Sequence, residues 1–132
     1  MNPTLLAQLL LQLLLQPACP PGDPLAGVVR PERLSVRNPC LTVTGRVDNL
    51  FRAPDGDIHL SIRLDPAFAN LVNAGNVLFW AGDLVAEIVP ADQGRVALPR
   101  TGDRVAVTGT YVLDIPNGWM EIHPVRQIRV LA

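Results

Sequence analysis

Hydrophobic and polar positions change period along this chain, and each change marks an element. Residues 4–16 read TLLAQLLLQLLLQ, leucine-rich with Gln8, Gln12 and Gln16 four apart, which predicts a short apolar helix with one glutamine stripe. From Leu41 the period becomes two: Leu41, Val43, Gly45 and Val47 alternate with Thr42, Thr44, Arg46 and Asp48. That is a half-buried strand, with Arg33-Leu34-Ser35-Val36 as a short lead-in. Pro54-Asp55-Gly56-Asp57 predicts a hairpin turn. The return strand sets Ile58, Leu60, Ile62 and Leu64 on one face and His59, Ser61, Arg63 and Asp65 on the other. Over residues 66–82 the alternation is lost. Pro66 after Asp65, with Phe68, Leu71 and Val72 on one side, predicts a short helix closed by Asn73-Ala74-Gly75. Asp83–Val89 and Arg104–Leu113 read as third and fourth strands, and Trp119–Leu131 as a fifth behind the turn Pro116-Asn117-Gly118. Pro124 marks an edge or a bulge in that last strand.

Five such strands, two with mid-strand glycines (Gly45 and Gly109) that permit sharp bends, predict an all-β domain closed into a small barrel. One short helix separates the second and third strands. A sandwich is the rival, but five strands are few for one. Residues 19–31 are dense in proline and glycine and read as a linker, so the chain divides into a leader (1–18), a linker (19–31) and the barrel (32–132). The leader is too short to span a bilayer comfortably. It has the length of a signal-peptide core, with Pro17-Ala18-Cys19 as a point of cleavage or of lipid anchoring at Cys19. The other reading is a retained amphipathic helix. The first implies export, the second a cytoplasmic protein.

Composition narrows the function classes. The net charge is −1 and aromatics are 5% of residues, so no bulk attraction draws the chain to nucleic acid or anionic lipid. All cations are arginine, which fits the coding bias of a GC-rich bacterial genome. Cys19 and Cys40 form no CxxC and suit no structural zinc site; in an exported chain they could pair. No GxSxG, HExxH or phosphate-cradling glycine loop is present, and no cofactor signature. The expectation is therefore non-enzymatic.

The motifs Pro39-Cys40-Leu41-Thr42-Val43-Thr44-Gly45, Asp55-Gly56-Asp57-Ile58-His59, Leu64-Asp65-Pro66, Leu84–Val89, Gly102–Gly109, Tyr111–Asp114 and Gly118-Trp119 to Val125 resemble a bacterial and archaeal family of small single-domain OB-fold-like proteins. That family has no established activity. The resemblance covers residue 32 onward. The chain departs from it in lacking cysteines across 90–100 and in carrying Asn117 where relatives carry histidine. It implies an OB-like Greek-key order in which the third strand lies between the second and the fifth. On that order Asp57 and His59 lie to one side of Glu87, and Glu121 and His123 to the other, with His59 opposite Glu87.

Three readings of this patch follow. Cross-strand His–Glu and His–Asp pairs can simply staple the sheet. The patch can bind a small ligand or a protein partner, with Trp119 and Arg63 adding a stacking surface and a charged fork. Or the imidazoles and carboxylates can hold a divalent metal, with a hydrolytic site as its extension. Single-strand nucleic-acid binding is a weaker alternative, because Asp57, Glu87 and Glu121 would repel phosphate. Trp80 is expected to plug one end of the barrel, Cys40 to be a buried small hydrophobe, and Arg126 and Arg129 to form a solvated face.

Overall fold

The computed structural model describes residues 2–15 and 19–132; the leader's expected cleavage point at residues 16–18 lies outside the described residues. Helix α1 spans Pro3–Leu15, with residues 2–10 exposed. No described helix is long and apolar enough to cross a membrane.

The rest is mostly β. Strands β1 (Leu34–Arg52), β2 (Ile58–Leu64), β3 (Leu84–Ile88), β4 (Arg104–Asp114) and β5 (Trp119–Val130) form one sheet. Hydrogen-bonded neighbours run β1-β2-β3-β5-β4, and β4 returns to pair with β1. All pairings are antiparallel except β3 with β5. The lead-in and first strand expected separately are one 19-residue strand, carried through by irregular register near Val36–Leu41 and Val47–Asn49. The mid-strand glycines serve close approach. A Cβ at Gly45 would strike the Arg63 carbonyl, and one at Gly109 the Pro124 carbonyl.

The inward faces carry the core, including Val43, Leu60, Ile62, Leu84, Ile88, Val107 and Ile122, all essentially inaccessible to solvent. Burying side chains of this size contributes about 1.5–3 kcal/mol each. Tyr111 packs against that core, and its hydroxyl donates to the Leu71 carbonyl at 2.6 Å.

The connection between β2 and β3 differs from expectation. Pro66–Leu71 is a 3-10 helix, and the α-helix proper, α2, runs Ala74–Trp80. Asn73 opens that helix rather than closing one: its side chain accepts from the Asn76 backbone, and the Asn76 side chain answers from the Asn73 backbone. Asn76 is fully buried and ties α2 to the sheet. Its amide donates to the carbonyls of Asp83 (2.9 Å) and Met120 (3.0 Å) and accepts from Met120 N–H (2.9 Å).

Residues 19–31 lie against the sheet instead of hanging free. Cys19 and Cys40 form a disulfide, so Cys40 is not a plain buried hydrophobe. The Cys19 sulfur is engaged in that bond. Thr110 Oγ1 donates to the Pro24 carbonyl at 2.7 Å. Arg126, expected on a solvated face, is largely covered: it pairs with Asp92 at 2.9 Å and reaches the Pro24 carbonyl at 3.4 Å. Arg95 holds the other Asp92 oxygen at 2.5 Å.

Candidate functional site

Strand periodicity builds the site. In β2, β3 and β5 the residues facing the core are Ile58, Leu60, Ala86, Ile88 and Ile122; the intervening positions, His59, Glu87, Glu121 and His123, face outward. Antiparallel pairing sets His59 opposite Glu87, and the parallel β3–β5 pairing sets Glu121 beside Val85. Asp57 enters from the β1–β2 turn, whose Asp55 carboxylate accepts the Asp57 N–H at 3.0 Å.

The five polar side chains touch. His59 Nε2 is 2.7 Å from Glu87 Oε1. His123 Nδ1 lies 3.0 Å from Glu121 Oε1 and 3.2 Å from Glu87 Oε2, while its Nε2 faces Asp57 Oδ2 at 3.5 Å. The Trp119 indole N–H donates to Glu121 Oε2 at 2.7 Å. Although on the outward side of the sheet, Asp57 is 1% exposed, Glu121 1% and His123 7%. A cleft of about 280 Å³ opens over them. Val29, Arg30, Arg33 and Leu34 form one rim, and the turn at Ala53, Pro54 and Asp55 forms the other, with Asp114 and Asn117 also lining it.

Among the described residues, four buried side-chain atoms have no hydrogen-bond partner. Three line this cleft: Asp57 Oδ1, His59 Nδ1 and His123 Nε2; the fourth is Trp80 Nε1. Burial alone would neutralise His123, but the carboxylates of Asp57, Glu121 and Glu87 outweigh it and hold the imidazolium up to about 11. Burial likewise opposes ionisation of Glu87, yet His123 and His59 keep its carboxyl well below the usual carboxylate range. Glu121 goes the other way. Burial, reinforced by Glu87 and only partly relieved by His123, pushes it up to about 7. His59 is raised: burial lowers it, and the Glu87 contact more than compensates.

Of the expected residues, Asp57, His59, Glu87, Trp119, Glu121 and His123 converge on the cleft. Arg63 does not. It lies farther along β2, opposite Arg46, and its exposed guanidinium sits 3.5 Å from Asp48. Trp80 is no plug; it stacks outside on Phe51 (6.5 Å between rings) and meets Trp119 edge-on (5.5 Å), while Phe51 lies 5.1 Å from His59. This aromatic flank was not legible because Trp80 depends on where α2 begins. Arg30 and Arg33 were missed because their segment carries no periodic signal. Arg33 reaches the cleft through Asp114, at 3.7 Å.

Two sets of potential metal donors share Asp57. One is Asp57, Glu87 and His123, all buried; the other is Asp55, Asp57 and His59. No family model and no curated protein matches this sequence.

Proposed function

We propose that this chain is a non-enzymatic binding module: an OB-like Greek-key barrel whose outer wall, at β2, β3 and β5, takes a small ligand into the cleft. The ring of strand pairings and the position of β3 between β2 and β5 support the barrel reading, and this is the wall on which such barrels commonly bind. One observation carries the functional reading. Two buried polar atoms without a partner, Asp57 Oδ1 and His59 Nδ1, meet at one cleft with His123 Nε2, whose one contact is Asp57 Oδ2 at 3.5 Å, and an unpartnered buried polar group costs about 1–3 kcal/mol. A sheet staple would have satisfied them. A ligand supplies the missing partners.

The carboxylates of Asp55, Asp57, Glu87 and Glu121 set the polarity of the site. They oppose a phosphate backbone, so the aromatic flank of Phe51, Trp80 and Trp119 serves a ligand other than nucleic acid. Export remains part of the proposal, supported by the Cys19–Cys40 disulfide, since such bonds persist in oxidising compartments.

Native mass spectrometry of the protein purified from its own cells tests the reading. Wild type should retain a bound mass that His59→Gln/His123→Gln loses while still unfolding cooperatively. A wild type with no adduct, together with a double variant that melts well below it, would return the cluster to a structural role.

A further inference from the structure

The geometry points to a divalent first-row transition cation as the occupant of this cleft floor, held by Asp57, Glu87 and His123. The inference rests on the binding-module reading and names its ligand.

The donor atoms of these three residues lie within 4.8 Å of one another, a separation that a single ion at ordinary bond lengths of about 2.0–2.2 Å can bridge with small adjustments. All three are more than nine-tenths buried; at the cleft Asp57 Oδ1 is unpartnered, and His123 Nε2 makes no hydrogen bond, facing only Asp57 Oδ2 at 3.5 Å. The other nitrogen of His123 is already bound to a carboxylate, Glu121 Oε1 at 3.0 Å, and Glu121 is itself fixed by the Trp119 indole at 2.7 Å. A ligating histidine is typically oriented in this way, with one ring nitrogen on a carboxylate and the other left for the metal. Glu87 has a comparable anchor, since His59 Nε2 holds its Oε1 at 2.7 Å; its Oε2, 3.2 Å from His123 Nδ1, gives up that contact to reach the ion.

The donor chemistry selects the ion. One imidazole with two carboxylates suits zinc, manganese or iron(II). Calcium takes six to eight oxygens, more than this floor offers. The two carboxylate charges balance a dication, which takes the place of the Nε2 proton and releases it to solvent. Three protein donors leave coordination positions open toward the cleft, as in sites that admit a further ligand. The second donor set, Asp55 with Asp57 and His59, is the poorer host: Asp55 is exposed and its Oδ1 already accepts the Asp57 N–H.

Calorimetric titration of chelator-treated full-length protein with zinc chloride, and separately with manganese chloride, tests this. Wild type should bind one ion per chain and gain thermal stability. Asp57→Asn should weaken binding at least about 100-fold, and Glu121→Gln, which touches only the orienting partner, roughly 10–100-fold. Asp83→Asn, outside the cleft, should bind as wild type. If Asp57→Asn fails to fold, Glu87→Gln carries the same test. Binding that survives Asp57→Asn unchanged, or no saturable binding of either ion, overturns the inference. In the latter case an organic adduct in the native mass spectrum leaves the binding-module reading standing, and no adduct removes both.

Discussion

Two buried polar clusters sit on this small sheet, and they are built to different rules. At one, Asp92 is 5% exposed and each of its oxygens faces a guanidinium, Arg95 on Oδ1 and Arg126 on Oδ2, while Arg126 also reaches the Pro24 carbonyl. At the other, Asp57 is 1% exposed and has a single ionic neighbour, His123 at 3.5 Å. The first cluster closes on itself and ties residues 19–31 to the sheet, beside the Cys19–Cys40 bond. The second leaves three atoms without a hydrogen bond at the floor of a cleft. Saturation marks a staple, and its absence under deep burial marks a site, because folding alone gives no return for desolvating those groups.

Substitutions can break or sharpen that contrast. The largest effect is expected at the staple. Arg126→Met leaves Asp92 short of one buried partner and should cost about 3–5 kcal/mol, read by urea unfolding. Reducing the disulfide, or replacing Cys40 by serine, should cost about 2–4 kcal/mol by freeing a loop of 21 residues' separation; scanning calorimetry with and without reductant measures it. Asn76→Ala should cost about 1–3 kcal/mol, because it strands the Asp83 and Met120 backbone groups. It should also shift tryptophan fluorescence, since α2 carries Trp80 against Trp119.

A further effect concerns pH. Burial and the neighbouring Asp48 push Asp83 up to about 7, from an ordinary value of 3.8. Between those values the unfolded chain loses a proton that the native protein keeps, so stability falls as pH rises from about 4 to 7 and levels off above. Asp83→Asn should flatten part of that fall. Asp65 has the opposite sign: held at about 2 by Arg104 and Thr44, it contributes stability present above pH 3.8 and lost as pH drops through 2. Urea unfolding across pH 2–8 separates the two.

Strand periodicity gave the outward faces of the cluster, and the strand order implied by the family resemblance brought those faces together. His59, Glu87, Glu121 and His123 fall on outward positions of strands whose inward faces are aliphatic, and alternation permits the observed pairing of His59 with Glu87 without fixing it. What periodicity does not encode was missed. The rim residues Arg30 and Arg33 belong to a segment fixed by a disulfide and by hydrogen bonds to Pro24, contacts made across long stretches of chain. The start of α2 was misplaced because Asn73-Ala74-Gly75 suits either end of a helix. Its reciprocal bonds with Asn76 decide the matter, together with Gly75, where a Cβ would meet the Gly118 carbonyl. Arg63 shares a strand face with His59 but lies four residues along, beyond the reach of the cleft.

The contrast between saturated and unsaturated carboxylates is tested most directly by making one chemical change at both. Asp92→Asn and Asp57→Asn, compared by urea unfolding of chelator-treated protein, should differ clearly in size. Asp92→Asn should lose about 2–3 kcal/mol, whereas Asp57→Asn, which gives up only the 3.5 Å contact with His123, should lose no more than about 1 kcal/mol. Equal losses at the two positions would mean that Asp57 is as fully partnered as Asp92, and the cleft floor would then be a second staple.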